Sequence, residues 1–137
     1  MRFMMLMYPG AKAESGAIPD EKAIAGMMKF NEELAKAGVL LALDGLHPSS
    51  KGARVVKSGG RRQVIDGPFS EAKELVGGYW LIQVKSKEEA IEWMKRCPNP
   101  SDGPSEIEIR QVFELEDFGD AATPEIVARE ESLRARL

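Results

Sequence analysis

One cysteine, Cys97, and one histidine, His47, are all that the 137 residues contain of either type. A lone thiol excludes an internal disulfide, and one Cys with one His cannot supply the spaced ligand pairs of a zinc site. No metal or other cofactor is expected. Nor is there any run approaching the roughly 20 consecutive apolar residues of a membrane span. The opening MRFMMLMY is too short for a signal-peptide core and has no small-residue cleavage site behind it. A soluble, cytoplasmic protein is the expectation. A surplus of positive charge is missing too: the formal net charge is -3, with both signs interspersed. Without a basic stripe or polybasic arm, neither direct nucleic-acid binding nor a membrane partner is expected.

What is present is a clean switching of the apolar period, in a chain long enough to bury one core. Residues 2–8 alternate as Phe3/Met5/Met7 and Met4/Leu6/Tyr8, a strand apolar on both faces that must be covered on both sides. Residues 20–37 carry Ile24, Met27, Met28, Leu34 and Ala35 at three- and four-residue steps, behind Pro19-Asp20 and before Gly38. That pattern predicts an amphipathic helix. Residues 39–46 return to strand composition, and HPSSKG from His47 to Gly52 breaks it with turn residues. Residues 53–58 and 61–66 flank Gly59-Gly60, the spacing of a tight hairpin. Residues 78–84 form another strand, with Trp80, Ile82 and Val84 on one face and Tyr79, Leu81 and Gln83 on the other. Ser86-Lys87-Glu88-Glu89 is a capping box opening a helix with Ala90, Ile91, Met94 and Cys97 on one face, stopped by Pro98 and Pro100. Residues 105–113 alternate as a strand with one wet face, near an edge.

Strand, helix, strand, inserted hairpin, strand, helix, strand is the order of an α+β, ferredoxin-like split βαβ unit with helices on one sheet face. The other face would then be uncovered. Because the first strand is apolar on both sides, the economical cover is the same face of a second copy, giving a homodimer, a dimeric α+β barrel. Residues 1–115 form the expected domain, and residues 116–137 an acidic linker with a short terminal helix.

Four segments in order carry a resemblance: DGPFSEAKE from Asp66, GGYW from Gly77, AIEW from Ala90 with RCP from Arg96, and the opening RFMMLMY with AGVLLALDGLHPSSKGARV. Together they resemble the DGPF-motif branch of the YCII-related proteins, over roughly residues 1–113. The resemblance implies a dimeric α+β barrel, related in architecture to muconolactone-isomerase-like enzymes and usually without an assigned reaction. In some members a histidine on the first helix and an aspartate form a proposed catalytic pair. Here residues 20–37 contain no histidine, and Asn31 and Glu32 stand where a polar group would project. Some members are encoded near, or fused to, sigma factors, which implies a regulatory role.

Asp66 has two readings. Its carboxylate can accept from the Phe69 or Ser70 amide as a turn clamp, or it can serve as a base held at a strand end. Residues 70–75 would add one helical turn with amides facing the same cleft, an anion-friendly arrangement. Gly77-Gly78 reads as a bulge or close backbone contact. His47 is the only side chain ordinarily titrating near neutrality, so it joins Asp66 as the catalytic candidate, with a plain exposed turn as the alternative. Asp44, placed with Leu40 and Ala42, and Tyr79 with Gln83 are the ligand-binding candidates. Cys97 reads as a buried inert thiol. At least two of Asp44, His47, Asp66 and Tyr79 are expected to border one pocket, entered from the His47 turn by a neutral or anionic organic ligand. Two functions follow: small-molecule binding or simple acid/base catalysis in a cleft of the dimer, and alternatively a regulatory protein-interaction module using the hairpin and acidic tail.

Overall fold

The structure, a computed structural model, describes residues 1–71, 74–99 and 103–137. Its strands are β1 (Arg2–Met7), β2 (Leu40–Gly45), β3 (Ala53–Ser58), β4 (Arg61–Asp66), β5 (Gly78–Gln83) and β6 (Ile107–Gln111). Its helices are α1 (Ala11–Glu14), α2 (Glu21–Lys36), α3 (Lys87–Lys95) and α4 (Pro124–Arg134). Local chemistry sets the helix ends. The Asp20 side chain accepts from the Ala23 amide at 2.8 Å, and Gly38 takes a positive φ of 74° just beyond the α2 C-cap. Ser86 Oγ accepts from the Glu89 amide at 3.1 Å, while the Glu89 carboxylate reaches back to the Lys85 amide at 2.9 Å. That is the reciprocal capping pattern displaced by one residue. Pro100, the second expected stop signal, lies outside the described residues.

Four strands make one antiparallel sheet in the order β2-β5-β1-β6, compatible with a ferredoxin-like fold. The double-faced β1 is central, as its composition requires, and β6 with its wet face is an edge. Phe3 and Met5 of β1, Trp80 and Ile82 of β5, and Phe30, Leu34, Ala90 and Met94 of α2 and α3 form the buried core on one sheet face. The opposite face carries Met4, Leu6 and Leu81, each half-buried.

Three details depart from the sequence reading. Residues 9–19 contain the short helix α1, which no periodic pattern announces. Ile24 and Met28 face solvent, and Ala35 is exposed. Phe30 fixes the buried phase of α2 instead, meeting the Trp80 ring edge-on at 6.0 Å. In β2 a register irregularity falls between Leu40 and Ala42. Leu40 therefore packs toward the core while Ala42 and Asp44 turn to the open face, rather than all three sharing one side.

The hairpin β3–β4 is a separate two-stranded sheet closed by Gly59 and Gly60, at φ 54° and 80°. After β6 the chain runs through a 3-10 stretch, Leu115–Ala121, into α4, none of whose side chains is buried. A two-pronged ion pair fastens the start of this tail to β1: Arg2 donates to Glu114 at 2.7 and 2.9 Å. That bond holds the Glu114 carboxyl below its ordinary range. Its contribution is therefore full above the usual carboxylate pKa and is lost as pH falls through the lowered one.

Candidate functional site

Cross-strand register assembles the site. Asp44 of β2 lies opposite Tyr79 of β5, Tyr79 opposite Leu6 of β1, and Leu6 opposite Glu108 of β6. These four residues make one row across the open face of the sheet. One step further in, Ala42, Leu81, Met4 and Arg110 make a second row, mostly apolar. A tyrosine–carboxylate pair stands on each side of Leu6. Tyr79 Oη donates to Asp44 Oδ2 at 2.7 Å, and Tyr8, two residues beyond Leu6, donates to Glu108 Oε1 at 3.4 Å.

The electrostatics of the two pairs differ. The bond to Asp44 raises the Tyr79 hydroxyl above its usual pKa, and desolvation followed by the Glu108 charge does the same for Tyr8. Both phenols are therefore protonated donors at neutral pH, and neither is a base. Glu108 has Arg110 Nη1 at 3.8 Å, whereas among the described residues Asp44 has only the Tyr79 hydroxyl and no cation, and it is exposed. Such a surface suits a molecule with hydrogen-bond donors and an apolar body; an anion would meet a bare carboxylate.

His47 and Asp66 lie at the same end of the sheet but outside the row. The Leu46 amide donates to Gly77 O at 2.9 Å, so His47 follows the last tie between β2 and β5 and is exposed. Asp66 ends β4, exposed, and its carboxylate has no hydrogen-bond partner among the described residues. The clamp expected of it is made by Ser49: the Phe69 amide donates to Ser49 Oγ at 2.9 Å, and the Ser49 hydroxyl and amide both bond the Glu14 carboxylate. Ser49 thus joins α1, the His47 turn and the segment after the hairpin. The Gly67–Pro68 peptide in that segment is cis. Gln83 shares the open face with Tyr79 but lies four residues along β5, about 13 Å away, opposite Arg2. The helical turn expected over residues 70–75 lies partly outside the described residues. Gly77 and Gly78 are close-contact positions as anticipated; an added Cβ would stand 3.1 Å from Pro9 and 3.2 Å from Asp44 O respectively.

The architecture, the central double-faced strand and the ordered segments converge with a comparison of families, in which the model of the YCII-related domain matches residues 1–116. The chain belongs to the YCII-related family. It is similar to an uncharacterised protein of Rhizobium meliloti (strain 1021), with 30% identity over 93 residues, 68% of this chain and 75% of the relative.

Within this YCII-related domain, Asn31 has a structural task. Its Oδ1 accepts from Trp80 Nε1 at 2.8 Å, holding the indole in the core. Asn31→Leu is expected to cost about 1–3 kcal/mol by leaving that donor unpaired, and Asn31→Asp, which keeps an acceptor, distinctly less. Urea unfolding of the two variants measures the difference; equal stabilities would remove the role. Cys97 is half-buried and desolvation pushes its thiol up to about 11, so it stays protonated at neutral pH. Among the described residues no group of three or more His, Cys, Asp or Glu side chains could hold a metal ion, and no helix is long and apolar enough to cross a membrane.

Two open clefts lie elsewhere, one of about 640 Å³ along α4 and one of about 400 Å³ between Arg2, Phe113, Glu114 and Phe118. Neither includes Asp44, His47, Asp66 or Tyr79. Sequence reasoning missed Leu6, Tyr8, Glu108 and Ser49 as site residues. Alternation puts Tyr8 with Leu6 and Glu108 with Arg110, but only pairing of strands a hundred residues apart puts the two sets in one row.

Proposed function

We propose that this YCII-related protein, as a member of the DGPF-motif branch, binds a small donor-bearing organic molecule on its open sheet face, within a homodimer built as a dimeric α+β barrel. The row Asp44, Tyr79, Leu6 and Glu108 carries the reading. An uncovered sheet face with half-buried Met4, Leu6 and Leu81 needs a cover, and a second copy of that face supplies one while leaving the polar ends of the row to line a cleft. Asp44 contributes the unshared charge and any proton acceptance, Tyr79 orients it, and Leu6 with Leu81 forms the floor. His47 and Asp66 lie at the mouth, where either would meet an incoming ligand first. The bare Asp44 carboxylate favours a neutral or cationic ligand over an anion.

Saturation-transfer NMR with benzyl alcohol, benzylamine and benzoate as probes tests the reading. The alcohol and amine are expected to receive saturation, with benzoate silent. Asp44→Asn should weaken benzylamine most, and Tyr79→Phe should weaken both. The reading is lost if no probe binds, or if amine binding survives the Asp44 and Tyr79 changes made together.

A further inference from the structure

We infer that the hairpin β3–β4 of one copy docks on the C-terminal segment, residues 113–137, of a second copy. Both surfaces are left in a state that physical chemistry disfavours. Every residue of β4 is exposed, Val64 by 66% and Val55 on β3 by 58%, although a two-stranded hairpin standing alone in water is at best marginally stable. Among the described residues its ties sit at its base, where the Gly67 amide donates to Gly52 O at 3.0 Å, the Arg54 guanidinium lies 3.9 Å over the Phe69 ring and its Nη2 stands 3.9 Å from Glu74 Oε2. Among the described residues, the two strands pack substantially on each other and on no other helix or strand.

The tail shows the same deficit. Phe113 is 70% exposed and stacks on the half-exposed Phe118 at 4.9 Å, and α4, only 11 residues long, buries no side chain. A helix of that length has little stability without packing.

Charge decides what covers them. The hairpin carries Arg54, Lys57, Arg61 and Arg62 against the single acid Asp66, while residues 114–137 carry seven acids against three arginines. In a chain of net charge -3 these are opposite poles, each also bearing exposed apolar side chains. Each surface thus offers what the other lacks, yet among the described residues no extensive packing joins them within one chain. A second copy satisfies both at once: under a two-fold axis each hairpin meets the partner's tail, and the assembly closes at two. This contact is separate from the ligand row: the tail is fastened at the Arg2 end of β1, while the row crosses the sheet at the Leu6 end.

Two charge-reversed proteins provide the test, using the full chain. One carries Arg61→Glu with Arg62→Glu, and the other Glu116→Arg with Asp120→Arg; all four sites are exposed, and circular dichroism verifies the fold. Each variant alone repels itself and is expected to dimerise at least about tenfold more weakly than the parent in sedimentation velocity. Mixed, both contacts become attractive again, so native mass spectrometry should show heterodimer well above the one-half that random pairing gives. Raising the salt should erase that preference. Random pairing, unchanged dimerisation of the single variants, or a parent that stays monomeric each overturns the inference. Random pairing among intact dimers would leave association through the sheet face standing, and a parent monomer that captures another protein through the hairpin would point to a heterologous partner instead.

Discussion

Gly67→Ala is expected to lower stability by about 2–3 kcal/mol in urea unfolding, although it adds a single methyl group at a site outside the core. A Cβ at this position would stand 1.8 Å from Ser49 O and 2.6 Å from its carbonyl carbon. Both are main-chain atoms, so no side chain can swing aside, and relief requires the His47 turn to move away from the hairpin base. Moving it strains three connections together: the Gly67 amide to Gly52 O, the Phe69 amide to Ser49 Oγ, and Ser49 to Glu14. Gly67 does not have a positive φ, so the requirement is for space alone. Gly26→Ala is the matched control. It adds the same methyl in open space on α2, where alanine is favoured over glycine by about 1 kcal/mol, so the control should gain stability. If Gly67→Ala melts with the parent, the close approach of the two segments is not what the DGPF stretch requires.

The same stretch shows how far sequence reasoning reached. Asp66, Gly67 and Pro68 announce a specific turn, and the hairpin before it follows from Gly59-Gly60. Which atom holds the turn is another matter. Ser49 reads as one of several turn-formers in HPSSKG, and nothing local reveals that its hydroxyl serves an amide twenty residues later. The site divides in the same way. Period-two alternation puts Leu6 on one face of β1 and Tyr79 on one face of β5. That Asp44 joins them depends on a register irregularity in β2, whose effect is to separate Leu40 from Ala42. Helix α2 failed locally because Ile24, Met27, Met28, Phe30 and Leu34 are compatible with more than one buried stripe. The partner surface chose among them: Trp80 presents its ring edge to Phe30, and Ile24 and Met28 are left to solvent.

Neighbouring positions on β1 are expected to respond to the same substitution in opposite ways. Met5 is fully buried in the core against the helices, so Met5→Glu places a carboxylate where no partner or water awaits it. The cost of such burial is several kcal/mol, comparable with the whole stability of a small domain. Met5→Glu should therefore yield little folded protein. Leu6, one residue on, points to the open face, half-buried between Tyr79 and Glu108. In the isolated chain Leu6→Glu gains access to water and should cost about 1 kcal/mol or less. In a dimer formed through this face, the new charge is desolvated next to Glu108 and meets its own symmetry mate's acidic row. Arg110, already 3.8 Å from Glu108, cannot neutralise a second carboxylate as well, so the dimer is expected to weaken by about 100-fold or more while each chain keeps its fold. Light scattering across a micromolar dilution series reads the association, and the amide region of a proton NMR spectrum reads the fold. A Leu6→Glu protein that remains dimeric would place the interface elsewhere. One that unfolds like Met5→Glu would mean that the second face of β1 is covered within the chain itself, and the sheet would have no open side left for a ligand.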